Sequence, residues 1–456
     1  MNQKEALLSI DTTRSKTIVL VLLTISLLIG NQVSFGIRIA GLTITLFRFM
    51  IPLSAFCLLW QCNQMRIREL SAWTKWTALF LCFWLLYGGI LLVSGGISHE
   101  GAKELMQLLL SVIAAFLLCV VIRDYSDLMT IRSVIQAVLW GMLLLALIEI
   151  LTAWHLPTSR FCDQKFMEEF ARLYPAYADS FSIRNVATGA FYNPNDLCAF
   201  LAVFSPVLLP YVKQESKFRR CMNAVAYVFL FVVLLKDDAW ICIFGMLAAF
   251  ILYSTFYLIK SKSPLPIILF ILMGVAYKFA IPLLGVMSAQ DIPSNEVTVN
   301  ALQSIGSQFD GISRETGSVF LRLNTYGHVF TAFIEDTFGF GFGPYGVQEY
   351  LAGCQQKCVL ASPHGFWIEL LANYGFLVFC GFIIMCFGSF IILSKRLTEW
   401  GLEYKMLGAF VLAMDVSLAV DCMAPSAFLT TTYYWLPVGI TLALAAFRIE
   451  PRNTSD

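Results

Sequence analysis

The sequence predicts an all-α polytopic membrane protein of about twelve transmembrane helices, with a large extracytoplasmic loop between the ninth and the tenth. Three observations predict it. Hydrophobic residues make up 58% of the 456-residue chain and charged residues 13%, and a mean hydropathy of +0.74 excludes a soluble globular domain. Apolar runs recur along the whole length, each of about 20 residues and so able to cross a bilayer core of about 30 Å as a helix. The short segments that alternate to one side all carry basic residues, among them Lys16, Arg66, Arg123, Lys217, Lys260, Arg396 and Arg448. The positive-inside rule then makes that side, with both termini, cytoplasmic.

The predicted spans are 17–31, 41–60, 73–94, 104–122, 131–154, 192–212, 222–236, 239–259, 265–288, 366–393, 404–423 and 430–447. The polar stretch up to Lys16 leads into a full span without a small-residue cleavage site, so no cleavable signal peptide is expected. The chain divides into residues 1–287 with nine spans, an outside loop 288–365, and residues 366–456 with three spans and a tail. A second outside loop covers 156–191. The net charge of +1 does not point to nucleic acid as a partner. Thirteen cysteines lie mostly within apolar runs, as small core residues would. Cys354 and Cys358 are expected outside the membrane, oxidised to each other or one of them to Cys162.

The richest stretch is 319–375. On a helical wheel Val319, Leu323, Tyr326, Phe330, Phe333 and Ile334 share one face, Arg322 falls on its border and His328 on the polar side. Arg322 is a rare cation in an acidic loop, placed either to bind an anion at the interface or simply to snorkel. Gly339-Phe-Gly-Phe-Gly-Pro344 reads as a tight turn at the membrane surface. Ser362 is a candidate N-cap and Pro363 a first helical residue, which sets His364 in the first turn of a helix from Gly365 to Leu393. The positive end of that helix would favour neutral imidazole, able to accept a proton; the competing reading is a boundary histidine without chemistry.

Arg48, Glu149, Lys278, Glu369, Asp415 and Asp421 lie inside spans, where a charge costs about 2.5–3.5 kcal/mol at mid-bilayer. All but Asp415 fall in the outer half of their spans, which suggests a polar cavity open to the outside; structural ion pairs would give the same distribution. In the other loop Asn193-Pro194-Asn195-Asp196 fits a capped start of the sixth span. No nucleotide loop, zinc spacing or acidic metal motif is present, so neither a metal nor a nucleotide cofactor is expected.

Taken in order, Arg184, Gly189, Phe191 and Asn193-Pro-Asn195, then Arg322 before the glycine turn, then His364 with ten residues between it and Gly375, resemble the O-antigen ligase and Wzy O-antigen polymerase family of bacterial envelope enzymes. The resemblance covers nearly the whole chain in architecture, but its specific residues are confined to 184–199 and 319–375. It implies a C-type glycosyltransferase acting outside the cytoplasmic membrane on undecaprenyl-diphosphate-linked oligosaccharide, within membrane lipid and with a chain-length regulator as candidate partner. Arg322 and Arg184 would bind the donor diphosphate, His364 would activate the acceptor, and Asn193, Asn195, Lys236 and Glu369 would line the substrate site. One departure matters. Many members carry a Ser-Arg pair before Ala-Trp where this chain has Lys236-Asp-Asp-Ala-Trp240, a point charge in place of a planar fork. A polymerase of repeat units, a ligase to lipid A core, and a flippase for lipid-linked oligosaccharide are the readings to separate; a transporter would more often show internal repeats, and none is evident.

Overall fold

The computed structural model describes residues 3–39, 42–61, 71–173, 185–209, 216–261, 265–283, 318–354, 362–363, 365–400, 402–424 and 431–446. Each predicted span coincides with a helix: α1 Gln3–Ile29, α2 Leu46–Gln61, α3 Ala72–Ser94, α4 His99–Val121, α5 Tyr125–Thr152, α7 Pro194–Phe204, α8 Lys217–Lys236, α9 Trp240–Ser261, α10 Leu265–Leu283, α13 Phe366–Glu399, α14 Leu402–Asp421 and α15 Trp435–Ala446. Between them lie a short helix α6 Gln164–Leu173, and α11 Ser318–Glu335 with α12 Gly346–Gly353. Among the described residues α3, α4, α5, α8, α9 and α13 hold stretches long and apolar enough to cross a membrane unaided. The chain is an all-α polytopic membrane protein.

Burial sorts the helices into centre and periphery. Every residue of α15 is buried and nearly every residue of α7, so both sit in the middle of the bundle. By contrast α3 exposes Leu79, Leu86, Ile90 and Val93, and α13 exposes Phe376, Leu377 and Phe387, as a lipid-facing surface requires. α4 runs along α15 and α9 along α14. Gly245 of α9 lets that last pair close up, because a Cβ there would collide with the Asp421 carboxylate.

The central helices are too short to reach both surfaces, since 11 residues of helix rise about 16 Å. Arginines from neighbouring helices complete them. Arg132, on α5, donates to the Val207 carbonyl (3.1 Å) in the 3-10 turn that continues α7, and Arg396, on α13, donates to Leu444 O (2.7 Å) in the last turn of α15. Each satisfies a terminal carbonyl and puts positive charge at the negative end of a helix. Residues read from the sequence only as topology markers therefore also hold the bundle.

One predicted span is shorter than expected. In the predicted span 41–60, Leu42–Thr45 belongs to a hairpin, β1 Ser34–Ile39 with β2 Leu42–Thr45, and not to a helix. Alternation in Leu42-Thr-Ile-Thr45 and β-branching favour the strand, and Gly36, at φ 72°, sits in the register shift between Ser34 and Arg38.

Candidate functional site

The glycine turn is not simply a surface turn. α13 is broken at Gly375, whose φ of 76° is non-helical, and the turn is seated in the break. Phe342 N donates to Ala372 O (2.8 Å), Gly343 N to Asn373 O (2.8 Å), and Phe376 N to Gly339 O (3.1 Å). Backbone packs on backbone here: a Cβ on Gly341 would lie 2.6 Å from Gly375 N, so no side chain fits. The uninterrupted helix expected from Gly365 to Leu393 is thus two helices. The carbonyls that the break frees are taken up by the turn.

Around this joint lies a small second core of Val329, Val347, Leu351 and Ala372, distinct from the main bundle core. Asn373 accepts from Val347 N (2.9 Å), and Gln348 bonds the Glu369 carboxylate, so Glu369 ties α12 to the first half of α13 while 2% exposed. Tyr374 OH donates to Glu104 of α4 (2.9 Å) and Tyr87 OH of α3 to Phe340 O (2.8 Å), which fastens the joint to the bundle.

Two expectations change here. The buried face of α11 is Thr325, Val329, Ala332 and Phe333, while Phe330 and Ile334 are exposed, so the wheel is rotated from the apolar face drawn on the sequence. The reason is that α11 packs on α13, with Val329 joining Val347, Leu351 and Ala372 in the second core, and its other apolar residues face outward. Secondly, α13 starts at Phe366 with Gly365 as its N-cap residue and no side-chain cap. Phe366 N is satisfied by Cys422 O, just past the end of α14 (3.1 Å), so Ser362 is not needed as a cap and His364 precedes the helix instead of sitting in its first turn.

His364, Arg184 and Cys358 lie outside the described residues, as does the side chain of Arg322. The backbone still relates two of them. Tyr326, one helical turn after Arg322, brings its hydroxyl over Gly365, where a Cβ would lie 2.9 Å from it, so the helix of Arg322 meets the residue that follows His364.

The remaining expected residues gather at the start of α7 and the end of α8. Asn193 caps α7, accepting from Asn195 N (3.1 Å) with Pro194 in the first turn. Lys236 ends α8, buried, and the next residue turns inward: Asp237 accepts from Ala187 N (3.2 Å) and from the Cys198 thiol (3.5 Å). Burial pushes the Asp237 carboxyl up to about 7. Glu149, read as a candidate cavity lining, is instead consumed by this loop. It accepts from Thr188 N (2.7 Å), Gly189 N (2.7 Å) and Thr188 OH (2.9 Å), and lies 3.0 Å from His155 Nδ1.

Sequence reasoning missed Arg160. Its guanidinium lies 5.1 Å from the ring centres of both Phe161 and Phe166, within the field of Asp237, Tyr192 and Asp196. Burial lowers its pKa and those groups oppose the shift. The flanking phenylalanines were the available signal. Cys162 and Cys354 carry free thiols, so neither expected disulfide involving Cys354 is formed. Among the described residues no cluster of three His, Cys, Asp or Glu could hold a metal ion.

No family model matches the chain. It is similar to the Teichuronic acid biosynthesis protein TuaE of Bacillus subtilis (strain 168), at 22% identity over 434 residues that cover 93% of this chain and 82% of the relative.

Proposed function

We propose that this chain is an extracytoplasmic glycosyltransferase that polymerises undecaprenyl-diphosphate-linked oligosaccharide repeat units into a surface polysaccharide, from the bacterial cytoplasmic (inner) membrane with its site facing outward. The observation that carries the reading is the joint at Gly375. It seats the glycine turn in the broken helix and sets the helix of Arg322 against Gly365, next to His364 in the chain. The name of the relative, a protein of teichuronic acid biosynthesis, supports a polysaccharide product.

In this reading the acceptor hydroxyl attacks the anomeric carbon of the donor, the bond from that carbon to the diphosphate oxygen breaks, and lipid diphosphate leaves with the electron pair. Arg322 and Arg184 stabilise the charge that develops on the leaving group, with Lys236 as a third cation. His364 takes the proton of the acceptor hydroxyl. Asn193 and Asn195, at the start of α7, bind sugar hydroxyls beside the diphosphate, whereas Glu369 acts by holding the joint.

The test is transfer of a defined lipid-linked oligosaccharide by purified full-length protein, with donor binding measured separately. Arg322→Lys loses most activity and weakens donor binding, because lysine cannot make the planar two-point contact. His364→Ala retains donor binding and loses transfer by about 10²-fold or more. His328→Ala, on α11 and outside the motif, is the control and stays near wild type. Transfer by His364→Ala at wild-type rate removes the proposed base. A product in which glycan is joined to lipid A core, and not to a second repeat unit, makes the enzyme a ligase.

A further inference from the structure

An unexplained feature is a cavity of about 410 Å³ under the β1–β2 hairpin, between the ends of α1, α2, α7 and the 3-10 turn before α15. Its volume is within the range of about 300–1,000 Å³ typical of small-molecule sites. Arg48, Asp196, Asn31, Thr43, Thr45 and Thr432 supply polar groups, and Phe191 with Tyr433 an apolar wall. Its two charges are not spent on each other. Arg48 uses one terminal nitrogen on Thr43 O (2.7 Å), while its buried Nε has no hydrogen-bond partner. The Asp196 carboxylate has no hydrogen bond among the described residues, and no ion pair joins it to Arg48; its main-chain oxygen takes the Tyr433 hydroxyl (3.0 Å).

A guanidinium can only donate and a carboxylate can only accept, so a ligand that satisfies both must carry acceptors and donors on one small frame. A sugar ring does so through its hydroxyls, and its C–H face suits the Phe191 and Tyr433 rings. A diphosphate does not: its oxygens and those of the Asp196 carboxylate are all acceptors, and Arg160, whose field reaches Asp196, is not in the cavity lining. The cavity also shares Phe191 and Asp196 with the segment that carries Asn193 and Asn195. We infer that this cavity is the subsite for the terminal sugar ring of the acceptor glycan, held between Arg48 and Asp196. The assignment to the acceptor rests on the glycosyltransferase reading above; the binding of a sugar ring does not.

The experiment is saturation-transfer NMR of the methyl glycosides of glucose, galactose, N-acetylglucosamine and glucuronic acid against full-length protein in nanodiscs, with undecaprenyl diphosphate binding measured in parallel. At least one glycoside should bind wild type, and Asp196→Asn and Arg48→Gln should each weaken it about tenfold, the loss of one charged hydrogen bond. Affinity for undecaprenyl diphosphate should stay unchanged. Thr43→Trp, which fills the cavity from β2, should abolish the glycoside signal and decides the matter if either charge variant fails to fold. No glycoside signal in wild type, or a signal that survives Thr43→Trp, overturns the proposal. Parallel loss of undecaprenyl diphosphate in the charge variants overturns it as well, by making the cavity a phosphate site. Wild-type protein that binds glycosides here yet transfers nothing ends the glycosyltransferase reading and leaves the sugar site standing.

Discussion

Glu149 and Asp237 show how single carboxylates organise the loop above the bundle. Glu149 sits 1% exposed at the end of α5 and is tolerated because two backbone N–H groups, a hydroxyl and a histidine surround it. Glu149→Ala should therefore lower stability by about 3–5 kcal/mol, since it strands those donors, and the midpoint of thermal unfolding in detergent should fall accordingly. An unchanged midpoint would mean that the loop does not depend on this carboxylate. Asp237 makes a pH-dependent contribution. The unfolded chain releases its proton near pH 4, about the ordinary carboxyl value, whereas burial holds the folded group protonated to about 7. The folded state thus binds the proton more tightly, so this contribution is full below pH 4 and is lost as pH rises from about 4 to about 7. Asp237→Asn should flatten the fall in melting temperature between pH 5 and pH 7.5. The same slope in wild type and variant would rule the residue out as its source.

At the scale of elements, the joint between the glycine turn and broken α13 is the feature on which α11 and α12 depend. Gly341 and Gly375 have φ values of 96° and 76°, and both lie in direct backbone contact. Alanine at either place adds a left-handed conformation, costing about 1–2 kcal/mol, to an overlap that only undocking relieves. Gly341→Ala should insert normally, because the main bundle core does not include the turn, but it should lose transfer activity and become more sensitive to limited proteolysis between α10 and α13. Wild-type transfer by this variant would show that the joint is dispensable. The exposed Gly327 of α11, where an added Cβ would meet nothing within 4 Å, gives the matched control as Gly327→Ala.

For the whole molecule the matter is sidedness. Hydrogen bonds from Tyr87 to Phe340, from Thr432 to Leu27 and from Tyr433 to Asp196 gather the glycine turn and the ends of α1, α3, α7 and α15 on one side. Arg132 and Arg396 lie at the opposite ends of the helices they complete. With the basic loops cytoplasmic, reporter fusions at Asp179 and Ser307 should report the outside, and fusions at Lys217 and Glu399 the inside. A cytoplasmic signal at Ser307 would put the proposed site on the wrong side of the membrane for a lipid-linked glycan delivered outside.

The sequence alone determined the class of the fold, the order of its apolar helices, and the cap at Asn193. These rest on local quantities: run length against bilayer thickness, and a side chain's reach to its own backbone. The tertiary structure alone decided the rest. Leu42–Thr45 is apolar enough to prolong a span and becomes a strand because β1 is there to pair with it. Gly375 breaks α13 because a turn from elsewhere supplies partners for the freed carbonyls. Arg48 and Asp196, far apart in the chain and ordinary in their own surroundings, acquire meaning only where four elements enclose them. Charge in a membrane announces that something must satisfy it, but which partner does so is fixed by packing between elements distant in sequence.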